Sequence, residues 1–543
     1  MQRDACYLLD QTPKQGGGNV RANPRIIVRR TGAIGDAIAA TVVCNKLQEK
    51  GYECEYQTSP NIHAILRLVP NIGSLAAPAG YVHCDLDRAY ELDPNRKVLH
   101  FTDIFLSKAS LLLAPYGITL GNHNARPVVV VPAELREISR ARFNDYPRPW
   151  IFICPKSHTY RPRQVPDRIW EAAAKDMPGT KFWLGLSPSV PGIVDLNCRN
   201  LENLVAWLSV ADLLVSVDTG PAHVGIAMGV PSILLGQSSS PELHFSDQRD
   251  FETIWPEGDL KCLNCQLNIC PVNNYLPPCQ IFEPEKIAQT VKRKLGTEVS
   301  ALIPTYRADE RRLDKCVSNV VDQVDEVVIT AAADAMLPNI PNHPKVRVVR
   351  SPRSNLGFGK NVNFGMRHTS GKWVLLLNDD CYLNGDCVEQ LKTLRAPEVG
   401  MIAHLLRYPD SRIYFAGRRR NNGDRGCPHI DHGKYLPTIT TVEEMEAVSG
   451  TSVLINRKAY YNIGGFDERF HLYAEDDCIS LAMRQAGHRL LYHPTALGIH
   501  EGSATAKQTH NIAAEIKKSG ALMEQLWGWY YDRNKGRVPG VFK

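Results

Sequence analysis

Apolar residues in this chain alternate between short unbroken blocks and longer stretches in which they recur at helical spacing. RIIVRR (Arg25 to Arg30) is a block, and DAIAATVVCNKLQEKGY after it has helical recurrence. ECEYQT, VVVVP and PWIFICPK read as further strands, and ADLLVSVDTGPAHVGIAMGVPSILLG reads as strand, turn, small-residue helix and strand. This alternation predicts a doubly wound α/β architecture, with VVVVP among its strands. Around Gly296-Thr297 the pattern restarts with VSALIPTYR, a helical stretch from Ala308 to about Val321, the blocks DEVVITAAAD and KVRVVRS, and the helix LGFGKNVNFGMRHTSG. The most continuous block is Trp373 to Leu377, a strand buried on both faces that ends on Asn378, Asp379 and Asp380. Residues 1–23 read as a flexible tail, 24–297 as one module with lobes at about 24–148 and 149–297, 298–508 as a second module, and 509–543 as an amphipathic helix.

A length of 543 residues exceeds one ordinary core, in line with two or three domains. Charged residues make up 22% and hydrophobic residues 43%, and no apolar run is long enough to cross a bilayer. The first residues lack the apolar core of a signal peptide, so the expected location is cytoplasmic. The net charge of +6 permits an anionic substrate without identifying a nucleic-acid binder. Fifteen cysteines is an odd number for a closed disulfide framework, and Cys44, Cys154, Cys316 and Cys478 sit among apolar neighbours as buried thiols do.

The blocks end on chemistry. Gly32 and Gly35 let backbone approach a ligand, and Asp36 falls at a helix start, where it serves as a catalytic carboxylate or as a helix cap. After PWIFICPK, the loop from Lys156 and Ser157 through Arg161 to Arg163 supplies donors and cations that suit a diphosphate, or forms a solvated basic loop. The turn Asp218-Thr219-Gly220-Pro221-Ala222-His223 aims N–H groups of a helix start at one point, a place for an anion. Cys262, Cys265, Cys270 and Cys279 match the ligand count of a structural Zn²⁺ site, against plain thiols in a reducing cytosol.

TGAIGDAIAATVV together with VSVDTGPAHVGIAMGVPSILLG resembles the heptosyltransferases, glycosyltransferase family 9, whose fold is GT-B, two facing Rossmann-like domains. The resemblance implies that Asp36 deprotonates the acceptor hydroxyl, that Lys156, Ser157 and Arg161 hold the donor diphosphate, and that Thr219, Gly220 and His223 line the donor pocket with Asp218 nearby. The loop PKSHTYRPRQVP departs from the family's Gly-rich version, and some members carry a similar cysteine cluster.

In the second half, adjacent carboxylates at the end of a buried strand suit Mg²⁺ or Mn²⁺ carrying a diphosphate, the alternative being a solvated turn. Glu475-Asp476 opens the helical stretch CISLAMRQAG as a general base or an N-cap. Arg418, Arg419, Arg420 and Arg425 lie in a Gly- and Arg-rich loop, a lid over an acidic acceptor or a solvated face. The series ALIPTYR, NLGFGKNVNFGM, LLLNDD, SGTSVLINRKAYYNIGGFDERF, YAEDDCISLAMRQAG and IHEGSAT resembles glycosyltransferase family 2, the GT-A nucleotide-diphospho-sugar transferase fold. That implies Asp380 and His500 as Mn²⁺ or Mg²⁺ ligands and Asn378 and Asp379 at the diphosphate. It places Pro304, Tyr306, Arg307 and Asp334 around the nucleoside, and makes Asp476, paired with Glu475, the base.

The reading is a bifunctional, inverting glycosyltransferase, GT-B module first and GT-A module second. It uses nucleotide-sugar donors and hydroxyl acceptors, with a surface glycan such as lipopolysaccharide or capsule as the expected acceptor. Two rivals accompany it: a virus-type DNA-modifying sugar transferase, with nucleic acid as acceptor, and a single active GT-A enzyme whose GT-B half only binds.

Overall fold

The computed structural model describes residues 24–121, 126–157, 162–185, 190–198, 200–245, 249–273, 275–307, 309–337, 340, 342–354, 356–419, 427–502 and 512–533. The chain divides into two compact units between Leu295 and Gly296.

The first unit contains two parallel sheets. Strands β1 (Arg25–Arg29), β2 (Glu53–Gln57), β3 (Ser74–Ala76) and β4 (Cys84–Asp85) lie in the order β3-β2-β1-β4. Strands β5 (Trp150–Cys154), β6 (Thr180–Trp183), β7 (Val194–Asp195), β8 (Leu213–Val217), β9 (Ser232–Leu235) and β10 (Phe251–Ile254) lie in the order β10-β9-β8-β5-β6-β7. The chain leaves β5 toward β6 on one side and returns to β8 on the other, so the direction of winding reverses between β5 and β8. Ligands of open α/β sheets bind beyond the carboxyl ends of strands at such a reversal. Both strands are buried along their whole length, which matches their unbroken apolar sequence.

The block VVVVP is not a strand. Its segment is extended, but Val129 N donates to Ala227 O at 3.0 Å and Val130 N to Leu68 O at 2.8 Å. These are single bonds to carbonyls at or just beyond helix ends rather than a ladder. An apolar block predicts burial, and Val129 and Val131 are buried, but it does not say which backbone groups become partners.

The second unit is built on one mixed sheet. Its strands are β11 (Val299–Arg307), β12 (Glu326–Met336), β13 (Val346–Arg350), β14 (Trp373–Leu377), β15 (Cys381–Leu383), β16 (Val399–Arg407), β17 (Ile413–Phe415), β18 (Glu443–Glu444), β19 (Ser452–Asn456) and β20 (Arg489–His500). The path is β13-β12-β11-β14-β19-β16-β20-β15, with β17 on β16 and β18 on β20. Strand β14 sits mid-sheet, parallel to β11 and antiparallel to β19, which is why its residues read as continuously apolar. The helix Glu310–Val320 starts where the Asp309 side chain accepts from Arg312 N, as its N-cap.

The last helix, Ile512–Arg533, packs Met523 and Trp527 on Phe470, Cys478 and Leu481. Among the described residues no helix is long and apolar enough to cross a membrane.

Leu375 is fully buried at the centre of β14. Leu375→Ala is expected to destabilise the second unit by about 2–5 kcal/mol, the lost transfer energy plus the cavity. A lower denaturant midpoint in the transition assigned to that unit checks this.

Candidate functional site

In the first unit, β1 runs into Gly32, and the helix Ile34–Glu49 begins two residues later. Asp36 lies in its first turn, and its Oδ2 accepts from Ala33 N at 3.1 Å, so the capping role is present. The same oxygen lies 3.2 Å from Nη2 of the buried Arg30. Gly35 has a steric reason to be glycine, because a Cβ there would stand 2.6 Å from Cδ2 of His223. That approach brings the first turn of the helix Ile34–Glu49 against the helix Gly220–Ala227, whose N-cap is Thr219.

Between them lies a cleft of about 570 Å³, lined by Asp36, Ser157, Asp218, Thr219, Gly220 and His223, all singled out in the sequence. Residues from the carboxyl ends of β1, β5 and β8 thus share one cavity. Lys156 is not in the lining, and its Nζ lies 2.9 Å from Asp167 Oδ1. Arg161 lies outside the described residues.

The cleft also contains Arg163, from the basic loop marked in the sequence, and Tyr90, Arg96, His244 and Gln266, which the sequence did not mark. Asp218 is the hub. Its carboxylate meets Arg163 Nη1 at 3.0 Å, His223 Nε2 at 3.3 Å and His244 Nδ1 at 2.7 Å. Burial opposes ionisation of Asp218, yet Arg163, His244 and His223 together hold its carboxyl well below the usual range. His244 is lowered, because burial outweighs the neighbouring carboxylate. Its Nε2 lies 2.8 Å from Tyr90 Oη, 154 positions away in sequence. Nothing in the residue types around Tyr90 or His244 signals this pairing.

The four clustered cysteines occur as thiols, Cys262 and Cys265 partly exposed and Cys270 and Cys279 buried. Among the described residues no three or more His, Cys, Asp or Glu side chains are grouped to hold a metal ion. Burial, and then the neighbouring thiols of Cys265, Cys270 and Cys262, push Cys279 up to about 12.

In the second unit, β14 delivers Asn378, Asp379 and Asp380 at its carboxyl end. Strand β15 then pairs with β20, with Cys381 opposite His500, and Glu501 N donates to Asp380 O at 3.0 Å. This register puts His500 Nε2 3.3 Å from Asp380 Oδ1, although the two residues are 120 positions apart. Asp379 Oδ2 accepts from Thr305 Oγ1 at 2.5 Å, and burial followed by Asp380 pushes the Asp379 carboxyl up to about 6. Asn378 is held by its N–H on Thr451 O at 2.9 Å. Pro304 is buried in β11, and Tyr306 Oη donates to Asp334 Oδ2 at 3.0 Å, so these two predicted nucleoside neighbours meet. The side chain of Arg307 lies outside the described residues.

The helix Glu475–Gln485 opens with three carboxylates in a row. Asp476 Oδ2 faces Arg418 Nη1 at 3.5 Å and Gly450 N at 3.4 Å, and Asp477 binds the same arginine at 2.8 Å. Arg418 is therefore buried and paired within the site; Arg420 and Arg425 lie outside the described residues. Glu475 is pushed up to about 8, by burial and then by Asp476.

The sign of the Glu475 effect follows. The unfolded chain loses this proton near 4.5 and the folded chain near 8, so Glu475 costs stability increasingly as pH rises through that window. Glu475→Gln is expected to raise the thermal midpoint at pH 8 more than at pH 5, read by parallel melts.

Comparison with known proteins adds the following. Residues 196–275 match the model of glycosyltransferase family 9 (heptosyltransferase), and residues 300–464 match that of glycosyl transferase family 2. The chain is 29% identical over 219 residues to the N-acetylglucosaminyl-diphospho-decaprenol L-rhamnosyltransferase of Mycobacterium tuberculosis, covering 35% of this chain and 71% of that protein. It is 26% identical over 153 residues to the O-antigen biosynthesis protein RfbC of Myxococcus xanthus, covering 27% of this chain and 12% of that one. A solved family 9 glycosyltransferase from Veillonella parvula aligns with 51% of this chain and 99% of its own at 16% identity and a TM-score of 0.41. In this order and on its two separate α/β units, the chain resembles glycosyltransferase family 9, with a GT-B-type fold, and then glycosyl transferase family 2, with a GT-A-type fold.

Proposed function

We propose that both modules are active, that each transfers a sugar from a nucleotide donor to an acceptor hydroxyl, and that both invert the anomeric centre. The observation that carries the bifunctional reading is the cleft of the first unit, where Asp36 shares one cavity with Asp218, Thr219, Gly220 and His223. In this reading 24–297 is the GT-B module, 298–508 the GT-A module and 509–543 a packing helix, and the protein works in the cytoplasm.

In the first module Asp36 takes the acceptor proton. Ser157, Arg163 and the N–H groups at the start of the helix Gly220–Ala227 face the diphosphate, a metal-free way of offsetting its charge. In the second module Asp476 takes the acceptor proton, held by Arg418 and Gly450 N–H. Tyr306 and Asp334 border the nucleoside.

Asp380 and His500 fit a hard divalent cation, one buried carboxylate and one imidazole 3.3 Å apart beside the carboxyl of Asp379. When bound, Mn²⁺ or Mg²⁺ supplies Lewis-acid charge opposite the leaving diphosphate.

The acceptor is a cell-surface glycan precursor, which is supported by what the mycobacterial and myxobacterial relatives are named for. The test is a screen of nucleotide-sugar donors with the full-length chain, with Mn²⁺ and with chelator, reading nucleoside diphosphate release and product anomer by NMR. Two donors consumed, one of them without metal, and both products inverted is the expected result. A retained anomer, or one donor only, overturns the corresponding part.

A further inference from the structure

Strand β17 and the segment 427–434 form a ring-lined surface beside the second unit's reactive groups. Tyr414 stands at its centre. Its ring lies 4.3 Å from that of His500, centroid to centroid, and its Oη lies 3.2 Å from Thr451 Oγ1. Tyr408 packs edge-on against it at 5.4 Å. The Tyr414 carbonyl receives two imidazoles, with His429 Nδ1 at 3.1 Å and His432 Nδ1 at 2.9 Å.

A carbonyl oxygen only accepts, so both Nδ1 atoms carry protons, and in a neutral ring each Nε2 is then a bare acceptor. Neither Nε2 has a hydrogen-bond partner among the described residues. The backbone is pinned as well. Ile430 N donates to Gly417 O at 2.9 Å, Gly433 N to Ile413 O at 2.8 Å, and Asp431, at φ 55, accepts from Thr438 N and Oγ1 at 2.6 Å. Such anchoring holds the rings in place before a ligand arrives.

Among the described residues the cations of this surface are engaged. Arg412 is on Asp410, Arg418 on Asp476 and Asp477, Lys434 on Asp431, and Arg407 on the carbonyls of Ser411 and Tyr435. What remains is flat rings and hydrogen-bond acceptors, which suits an uncharged polyhydroxyl ring better than a phosphate.

We infer that Tyr408, Tyr414, His429 and His432 form the acceptor-sugar subsite of the second unit, the two Nε2 atoms accepting from sugar hydroxyls and the tyrosine rings lying against a sugar face. The inference rests on the transferase reading of that unit. It places the acceptor between Asp380–His500 and Asp476.

The test is a saturation-transfer NMR titration of the full-length chain with methyl glycosides of glucose, galactose, N-acetylglucosamine and rhamnose. In the double variant His429→Asn/His432→Asn, the side-chain amide still reaches the Tyr414 carbonyl but the group at the Nε2 position is gone. His429→Gln/His432→Gln restores a polar atom there. The best glycoside is expected to bind roughly tenfold more weakly to the Asn variant, from two lost hydrogen bonds, and within about threefold of wild type to the Gln variant. Nucleoside diphosphate affinity in Mn²⁺ is expected to move less than about twofold. No glycoside bound by wild type, equal binding by the Asn variant, or a parallel loss of nucleoside diphosphate overturns the subsite, as does inorganic diphosphate displaced by the Asn substitutions. Because binding is read without turnover, absence of donor turnover in wild type counts against the transferase reading alone.

Discussion

Asp380→Ala is expected to lower metal-dependent donor turnover by roughly 10²–10³-fold, the scale on which enzymes lose a group that offsets developing negative charge. The neighbouring carboxylate cannot stand in. Asp379 is turned to Thr305 Oγ1, which its Oδ2 engages at 2.5 Å. His500 alone keeps one donor. The backbone should not move, since residue 380 is held through its carbonyl by Glu501 N and through the pairing of Cys381 with His500. Steady-state release of nucleoside diphosphate against Mn²⁺ concentration checks this, alongside a melt of the variant. Retained activity with an unchanged Mn²⁺ response would remove Asp380 from the metal site.

Asp36→Asn is the second large effect, with metal-independent turnover expected to fall by roughly 10²–10⁴-fold, the range associated with a positioned general base. Asparagine is chosen because its carbonyl oxygen still accepts from Ala33 N, so the helix start survives. Only the basicity and the charge opposite Arg30 are lost. If Asp36 is a cap and nothing more, Asn behaves as wild type, and Ala costs about 1 kcal/mol of stability without a rate effect. Turnover and thermal midpoint measured on both variants separate the two roles. Unchanged turnover of every donor in Asp36→Asn, together with loss of all turnover in Asp380→Ala, would favour the reading in which the first unit only binds.

Much of the fold and part of each site can be read along the chain. The apolar block Trp373 to Leu377 becomes a mid-sheet strand because a segment buried on both faces must be apolar throughout, and its acidic end follows from polar groups emerging where the strand leaves the core. The turn Asp218 to His223 opens a helix because Thr219 and Pro221 suit its first positions. Such features depend on neighbours in sequence, and periodicity reports them.

Partner choice is different. Tyr90 meets His244 across 154 positions, and Asp380 meets His500 across 120, through strand order and register that local pattern does not encode. The same holds for VVVVP, whose apolar character promised burial and not a ladder. It holds for Lys156, drawn to Asp167. His429 and His432 are unremarkable letters in the chain; only the fold, by turning both onto the carbonyl of Tyr414, makes them a pair of fixed acceptors. Burial, tautomer and charge pairing are properties of three-dimensional surroundings, so sequence names the candidate groups and tertiary contacts decide which of them are left to act.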